Sequence, residues 1–108
     1  MFGKHTDTGY NPSLPGIEMK TLAYGEKTLM SEFILHRGHT LPRHTHPNEQ
    51  TGYLVKGHIR LSIGGEVFEV LPGDSWCVLS NVEHGAQVVE DSVAIEVFAP
   101  RREDYIPK

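Results

Sequence analysis

Four side chains in this sequence have the types and the spacing of a metal-binding set. His44 and His46 lie two residues apart, Gln50 follows them, and His84 lies downstream in the segment NVEH. In an extended strand, side chains two residues apart point to the same face, roughly 6.5–7 Å apart. Two imidazoles on one face can therefore bind a single cation, each at about 2.0–2.1 Å. We predict a divalent metal site formed by the three histidines and Gln50.

The amide of Gln50 would be a neutral ligand, and this determines the electrostatics of the predicted site. Three neutral imidazoles and a neutral amide leave the charge of the cation uncompensated, whereas a carboxylate would cancel one unit. Such a site attracts an anionic substrate and stabilises oxidised, higher-valent iron poorly. The residues therefore favour Lewis-acid chemistry on a carboxylate, carbonyl or hydroxyl over oxygenation. Imidazole suits many metals, so the sequence does not choose between nickel, manganese, zinc and iron.

Glu96 is chemically unusual because it interrupts the apolar run Val93–Phe98. A carboxylate in the middle of a core strand is costly unless it is paired or functional. If it faces inward, desolvation raises its pKa, which suits a general acid or base. If it faces outward, it is an ordinary solvated residue. The sequence leaves both orientations open.

The elements that must position these residues are short β-strands separated by turns. Gly, Pro, Asn and Asp interrupt the chain at regular intervals, and no window of helical length carries an uninterrupted apolar stripe. We predict an all-β barrel or sandwich, with an irregular N-terminal arm at residues 1–16 and one domain at residues 17–108. The predicted strands cover residues 17–24, 28–37, 49–56, 59–63, 67–71, 76–79, 86–89 and 93–98.

Composition limits the classes of partner. The 108 residues carry a formal net charge of −4 and no run of Lys or Arg, so nothing indicates binding to nucleic acid or to an anionic membrane. The lone Cys77 cannot form an intrachain disulfide, which suits a reducing compartment. No apolar run reaches the length of a membrane span or a signal peptide, so we expect a cytoplasmic protein.

The spacing around the first three predicted ligands resembles the first signature of the cupin family. That signature is Gly, five residues, His-x-His, three or four residues, Glu, six residues and Gly. The chain matches every spacing, and its one departure is Gln in place of Glu. The matching residues are Gly38, His44, His46, Gln50 and Gly57.

The second cupin signature matches in part. Gly73 and His84 keep their places, while Leu79, Asn81 and Val88 replace the usual Pro, Gly and Asn. The resemblance covers the central half of the chain. It implies a single-domain cupin, a jelly-roll β-barrel with one metal bound by the histidines.

The C-terminal segment narrows the resemblance. The run EVFAPRREDY, combined with HTHPNEQ, looks like the small cupins of pectin and alginate breakdown. Those proteins act on 4,5-unsaturated monouronates and promote their conversion to the linear keto form. They place an acid two residues before a Phe and an Arg shortly after a Pro, which by position are Glu96, Phe98 and Arg102. The resemblance implies that Glu96, which replaces the family's Asp, moves a proton and that Arg102 anchors the substrate carboxylate.

Two other functions stay open on these residues. A non-haem iron or manganese dioxygenase using the three histidines would show substrate-dependent oxygen uptake. A non-catalytic sensing or storage cupin would bind a small molecule without converting it. In each case we expect a small ligand, an anionic substrate in the leading hypothesis, and no nucleic-acid or membrane partner. We also expect a homodimer, because cupins commonly pair through their sheets and the segment 1–24 presents a sheet edge to cover.

Overall fold

The chain forms eight β-strands and one short 3-10 helix, so the predicted all-β class is confirmed. The structure is a computed structural model that describes all of residues 1–108. None of its helical segments has the length and apolarity that a membrane span needs. The strands are β1 (Asn11–Leu14), β2 (Ile17–Tyr24), β3 (Leu29–Leu35), β4 (Thr40–His44), β5 (Glu49–Ile63), β6 (Glu66–Val70), β7 (Ser75–Val78) and β8 (His84–Ala99), and the 3-10 helix is Glu103–Tyr105.

Two long strands, β5 and β8, pair antiparallel along their whole length and form the frame of the fold. The sequence predicted each of them as two strands, interrupted at Gly57 or at Asp91-Ser92, and this is wrong. Gly57 has a φ of +98°, and a Cβ there would lie 2.1 Å from the Ser92 hydroxyl oxygen. That oxygen accepts a hydrogen bond from the His58 N–H. These residues form an irregular step in the pairing that bends the two strands without ending them.

The bend lets each long strand take part in both halves of the barrel. Residues 92–98 of β8 pair with β3, and the beginning of β8 pairs with β4. In the same way, β5 pairs with β7 before its bend and with β6 after it. One half is therefore β1-β2-β3-β8-β5-β7 and the other is β4-β8-β5-β6. Apolar side chains of both halves form one buried cluster, which is the core of a jelly-roll β-barrel.

Two strands lie where the sequence predicted none. β1 falls inside the arm that was predicted to be irregular at residues 1–16, and it pairs with β2 at the edge of the sheet. Its Pro12 is tolerated there because an edge strand has backbone groups that need no partner. β4 contains Pro42, which coincides with an irregular step in its pairing with β8. Both strands escaped prediction because a proline usually marks the end of a strand.

The core supports the inner face of β8. Alternating residues of this strand are buried, and they include Ala94, Glu96 and Phe98. After β8 the chain turns back, so that Tyr105 and Ile106 pack against the same apolar cluster. Glu96 therefore faces inward, which decides the orientation that the sequence left open.

Candidate metal centre and adjoining cavity

Three histidines meet where β4 pairs with β8. His44 is the last residue of β4 and pairs with His84, the first residue of β8. His46 lies in the connection between β4 and β5, so it does not share an extended strand with His44 and reaches the cluster from that connection. One ring nitrogen of each histidine lies within 4.8 Å of those of the other two. The predicted histidines are therefore brought together, and strand pairing supplies the third.

The Nδ1 atom of each histidine lies against a backbone carbonyl oxygen two residues away. The N···O distances are 2.8 Å for His44, 2.9 Å for His46 and 2.8 Å for His84. A carbonyl oxygen only accepts hydrogen bonds, so the proton sits on Nδ1 and Nε2 keeps its lone pair. All three imidazoles are thus held in the tautomer that binds a metal through Nε2.

The burial of these rings fits a cation. The Nε2 atom of His84 is one of two buried side-chain nitrogen or oxygen atoms in the chain that lack a hydrogen-bond partner. Leaving such an atom unpaired costs about 1–3 kcal/mol. Burial also lowers the pKa of His46 and of His84, which favours the neutral, metal-binding form of both rings. This donor set therefore fits the divalent metal that the sequence predicted.

Gln50 adds an oxygen to the cluster. The Nε2 atom of Gln50 donates to Glu96 Oε2 at 2.8 Å. The Oε1 atom of Gln50 therefore faces His46 and lies 3.0 Å from the Nε2 atom of that ring. Because the Nε2 atom of His46 is unprotonated, a lone pair of this nitrogen faces a lone pair of the Gln50 oxygen. A cation bound by both atoms would stabilise this arrangement. The amide therefore presents its oxygen to the histidines, as a fourth ligand would.

Glu96 is buried in the cavity wall next to this amide, with 7% of its surface exposed. Burial raises the pKa of Glu96 to about 8, and the N–H groups of Gln50 and Trp76 oppose that rise. The Trp76 indole N–H lies outside hydrogen-bond geometry, so only Gln50 is a hydrogen-bonded donor and Trp76 acts as a nearby dipole. A carboxyl with this pKa both gives and takes protons near neutral pH, as a general acid or base must.

Arg102 reaches the cavity from the C-terminal tail, and it is already paired. Its Nε and Nη2 atoms donate to the two carboxylate oxygens of Asp104 at 3.1 and 2.8 Å. Its guanidinium lies 4.3 Å from the centre of the Tyr105 ring. The Nη1 atom forms no hydrogen bond within the chain, so one side of the guanidinium is available to a ligand. Asp104 and Tyr105 were not predicted as site residues, because no motif spacing distinguishes them from the rest of the tail.

Asn48 connects the histidine turn to the C-terminal tail. Its backbone oxygen accepts the Nδ1–H of His46, and its side-chain Nδ2 donates to the Pro100 carbonyl at 2.6 Å. The residue is 8% exposed, so the connection is shielded from water. Asn48 was not predicted as a site residue, because an Asn after a Pro is typical of an ordinary turn. Asn48 fixes the position of the candidate ligand His46 relative to the segment that carries Arg102.

A cavity of about 390 Å³ joins these groups, a volume that suits one small molecule. Of its 20 lining residues, 11 are hydrophobic, so just over half of the lining side chains are aliphatic or aromatic. His46 is the one predicted site residue that is not part of the wall. The predicted site residues that line the cavity are His44, Gln50, His84, Glu96 and Arg102.

The chain is similar to known proteins in both sequence and structure. The sequence pattern of the cupin domain family (Cupin_2) matches residues 31–99. The structure of KdgF from Halomonas sp. is 30% identical, with 98% of each chain covered and a TM-score of 0.93. An RmlC-like cupin from Shewanella frigidimarina NCIMB 400 is 25% identical, with 97% of this chain and 95% of that chain covered and a TM-score of 0.92. The pectin degradation protein KdgF of Dickeya dadantii (strain 3937) is 28% identical over 93 residues, 84% of each chain.

Proposed function

This chain belongs to the cupin domain family, and on that premise we propose that it is a metal-dependent enzyme acting on a sugar acid. The proposed reaction is ring opening and ketonisation of a 4,5-unsaturated monouronate or a similar compound. The similarity to a pectin degradation protein supports this choice of substrate class. The observation that carries the proposal is the buried carboxyl of Glu96, hydrogen-bonded to Gln50 beside the histidine cluster.

The proposed reaction needs a group that moves one proton. The hemiacetal hydroxyl loses a proton, the ring C–O bond breaks, and the resulting enolate gains a proton on carbon to become a ketone. No proton is consumed overall, so a carboxyl that accepts the first proton and returns it completes the cycle. Glu96 has the position in the cavity and the raised pKa for both transfers.

Other groups of the cavity bind and orient the substrate. A divalent metal held by His44, His46, His84 and Gln50 would supply Lewis-acid polarisation of a substrate oxygen. The free side of the Arg102 guanidinium binds the substrate carboxylate, because its planar fork of donors matches two carboxylate oxygens. The apolar part of the wall keeps water away from the reacting atoms and strengthens these contacts.

The test follows the ultraviolet absorbance of a 4,5-unsaturated galacturonate monomer in the presence of protein loaded with nickel or manganese. Wild-type protein is expected to accelerate the loss of absorbance. Glu96→Gln is expected to keep its metal and to lose turnover by about 100-fold or more, the usual contribution of a general acid or base. Glu90→Gln, an exposed residue of the same strand, is the matched control and should keep wild-type activity.

His84→Ala separates metal dependence from the proton transfer. It removes a ligand, so both metal content and turnover should fall, whereas Glu96→Gln should lower turnover alone. Wild-type turnover in the Glu96→Gln protein would refute the assigned role of Glu96. Absence of any acceleration by metal-loaded wild-type protein would refute the proposed substrate class.

An oxygenase is the second candidate function, and the largely apolar cavity wall is the observation that favours it. A less polar substrate than a sugar acid would fill that wall well. Substrate-dependent oxygen uptake by iron- or manganese-loaded protein would identify this activity. A ligand that binds in calorimetry and is recovered unchanged would instead indicate a sensing or storage protein.

We also propose that the protein works in the cytoplasm. Cys77 is the single cysteine and is free, which suits a reducing compartment. Recovery of the protein in a periplasmic or secreted fraction of its own cells would contradict this location.

A further inference from the structure

The chain contains two buried side-chain nitrogen or oxygen atoms without a hydrogen-bond partner, and the residues that carry them line the same cavity. One is Nε2 of His84, which metal binding explains. The other is Nε1 of Trp76, which carries a proton and can only donate. A metal therefore cannot satisfy it, and a nearby acceptor is needed.

Strand register brings Trp76 close to one acceptor in particular. Gly52 of β5 pairs with Trp76 of β7 on one side and with Glu96 of β8 on the other. The three residues therefore form one row across three neighbouring strands. Trp76 and Glu96 line the cavity, so both side chains lie on the inner face of this row.

Gly52 makes the approach of the indole ring possible. A Cβ atom at position 52 would lie 2.2 to 2.4 Å from three atoms of the ring, including 2.3 Å from Nε1. The indole therefore lies directly over the glycine, in the space that any other side chain would fill. It extends across the row toward Glu96, whose carboxylate form its N–H favours.

We propose that Trp76 is a positioning residue for Glu96 and that Gly52 is required to admit its indole ring. In the working enzyme Oε1 of Glu96, the oxygen that Gln50 leaves free, accepts a hydrogen bond from the indole N–H, which has no partner in this structure. A carboxyl held by donors on both oxygens has one orientation, with its remaining lone pairs directed into the cavity. This inference rests on the proposed function, in which Glu96 moves the proton.

The kinetic test uses Trp76→Phe, which keeps an aromatic ring and removes the N–H. We expect kcat to fall about 10-fold, as for the loss of one hydrogen bond to a carboxylate, with KM and metal content unchanged. Gly52→Ala should lower kcat further, because the added methyl group displaces the whole ring. An increase of KM at unchanged kcat would assign Trp76 to substrate binding and overturn the proposal.

A second test does not depend on turnover. Trp76 is the single tryptophan, so the protein gives one indole N–H signal in a proton–nitrogen NMR spectrum. Glu96→Leu removes the acceptor and should move this proton signal upfield, while Glu90→Leu, at an exposed position of the same strand, should leave it in place. An indole signal that is identical in wild-type and Glu96→Leu protein would overturn the proposal.

The two tests also separate this inference from the proposed function. If Glu96→Gln abolishes turnover and Trp76→Phe has wild-type kcat, the proposed function stands and the positioning role is wrong. If Glu96→Gln is fully active, the proposed function is wrong, and the NMR comparison still decides whether Trp76 contacts Glu96.

Discussion

The buried carboxyl of Glu96 should make the stability of the metal-free protein depend on pH. Its pKa is about 8 in the folded protein, against an ordinary value of 4.5. Between these values the folded chain holds a proton that the unfolded chain has released. The free energy of unfolding therefore falls as pH rises through this range. The stabilising contribution is complete below the unfolded pKa and is lost as pH approaches the folded pKa.

The expected size follows from the cost of ionising a buried acid. Each pH unit within the range removes about 1.4 kcal/mol, so raising pH from about 5.5 to about 7.5 removes about 2 to 3 kcal/mol. Burial lowers the pKa of His46 and of His84, and these two shifts act in the opposite direction. The quantity to measure is therefore the difference between wild-type protein and Glu96→Gln, in which the histidine contributions cancel.

Urea unfolding of chelator-treated protein, followed by the fluorescence of Trp76, measures this difference at each pH. The stability of Glu96→Gln relative to wild type should increase by about 2 to 3 kcal/mol across the two pH units. Glu90→Gln should show no such trend, because Glu90 is exposed. A difference between wild type and Glu96→Gln that is the same at every pH would refute the argument that Glu96 is desolvated.

Three further predictions concern the substrate, the metal and the assembly. Arg102→Gln should raise KM for an anionic substrate about 10-fold. The control is Arg101→Gln, which should leave KM unchanged because the Arg101 side chain forms its hydrogen bonds outside the cavity. Equal effects of the two substitutions would contradict the anchoring role of Arg102. Gln50→Glu should tighten divalent metal binding about 10-fold and weaken binding of an anionic substrate, both measured by calorimetry. We propose that two copies pair through the outer face of the sheet around the exposed apolar side chains Met30, Tyr53 and Val55, since exposed apolar surface of this kind commonly marks a protein–protein contact. Light scattering should show a dimer that Tyr53→Lys disrupts, and a monomeric wild type would end this proposal.

The candidate metal ligands were the most predictable part of the molecule. His44, His46 and Gln50 lie within one short segment, so their spacing alone indicates a shared site. His84 was predicted as a third histidine ligand and keeps its place in the partly matching second motif, although its contact with His44 depends on the pairing of β4 with β8. His46 lies in a connection and not in a strand, which was not predicted. The ring still faces the other histidines, because its Nδ1–H donates to the Asn48 carbonyl oxygen and holds it in place.

The strand boundaries were less predictable, because residues that usually end a strand are tolerated within strands of this fold. Gly57 and Ser92 were expected to end strands, because glycine and polar pairs usually do. In the fold they form a bend that is stabilised by partners far away in the sequence. The strands β1 and β4 were not predicted because they contain Pro12 and Pro42. Pro12 is tolerated at the sheet edge, and Pro42 lies at an irregular step in the strand pairing.

The sequence by itself determined the fold class, the single domain-sized core and the set of residues able to bind a metal. These properties depend on local spacing and alternation, which a linear chain displays directly. Only the tertiary structure decided that Glu96 faces inward, that the Trp76 indole lies over Gly52, and that Asp104 pairs with Arg102 beside the cavity. Those contacts depend on register between strands and on the return of the tail onto the core. The spacing of residues in the sequence does not reveal the strand register or the path of the tail, because both depend on the packing of the whole chain.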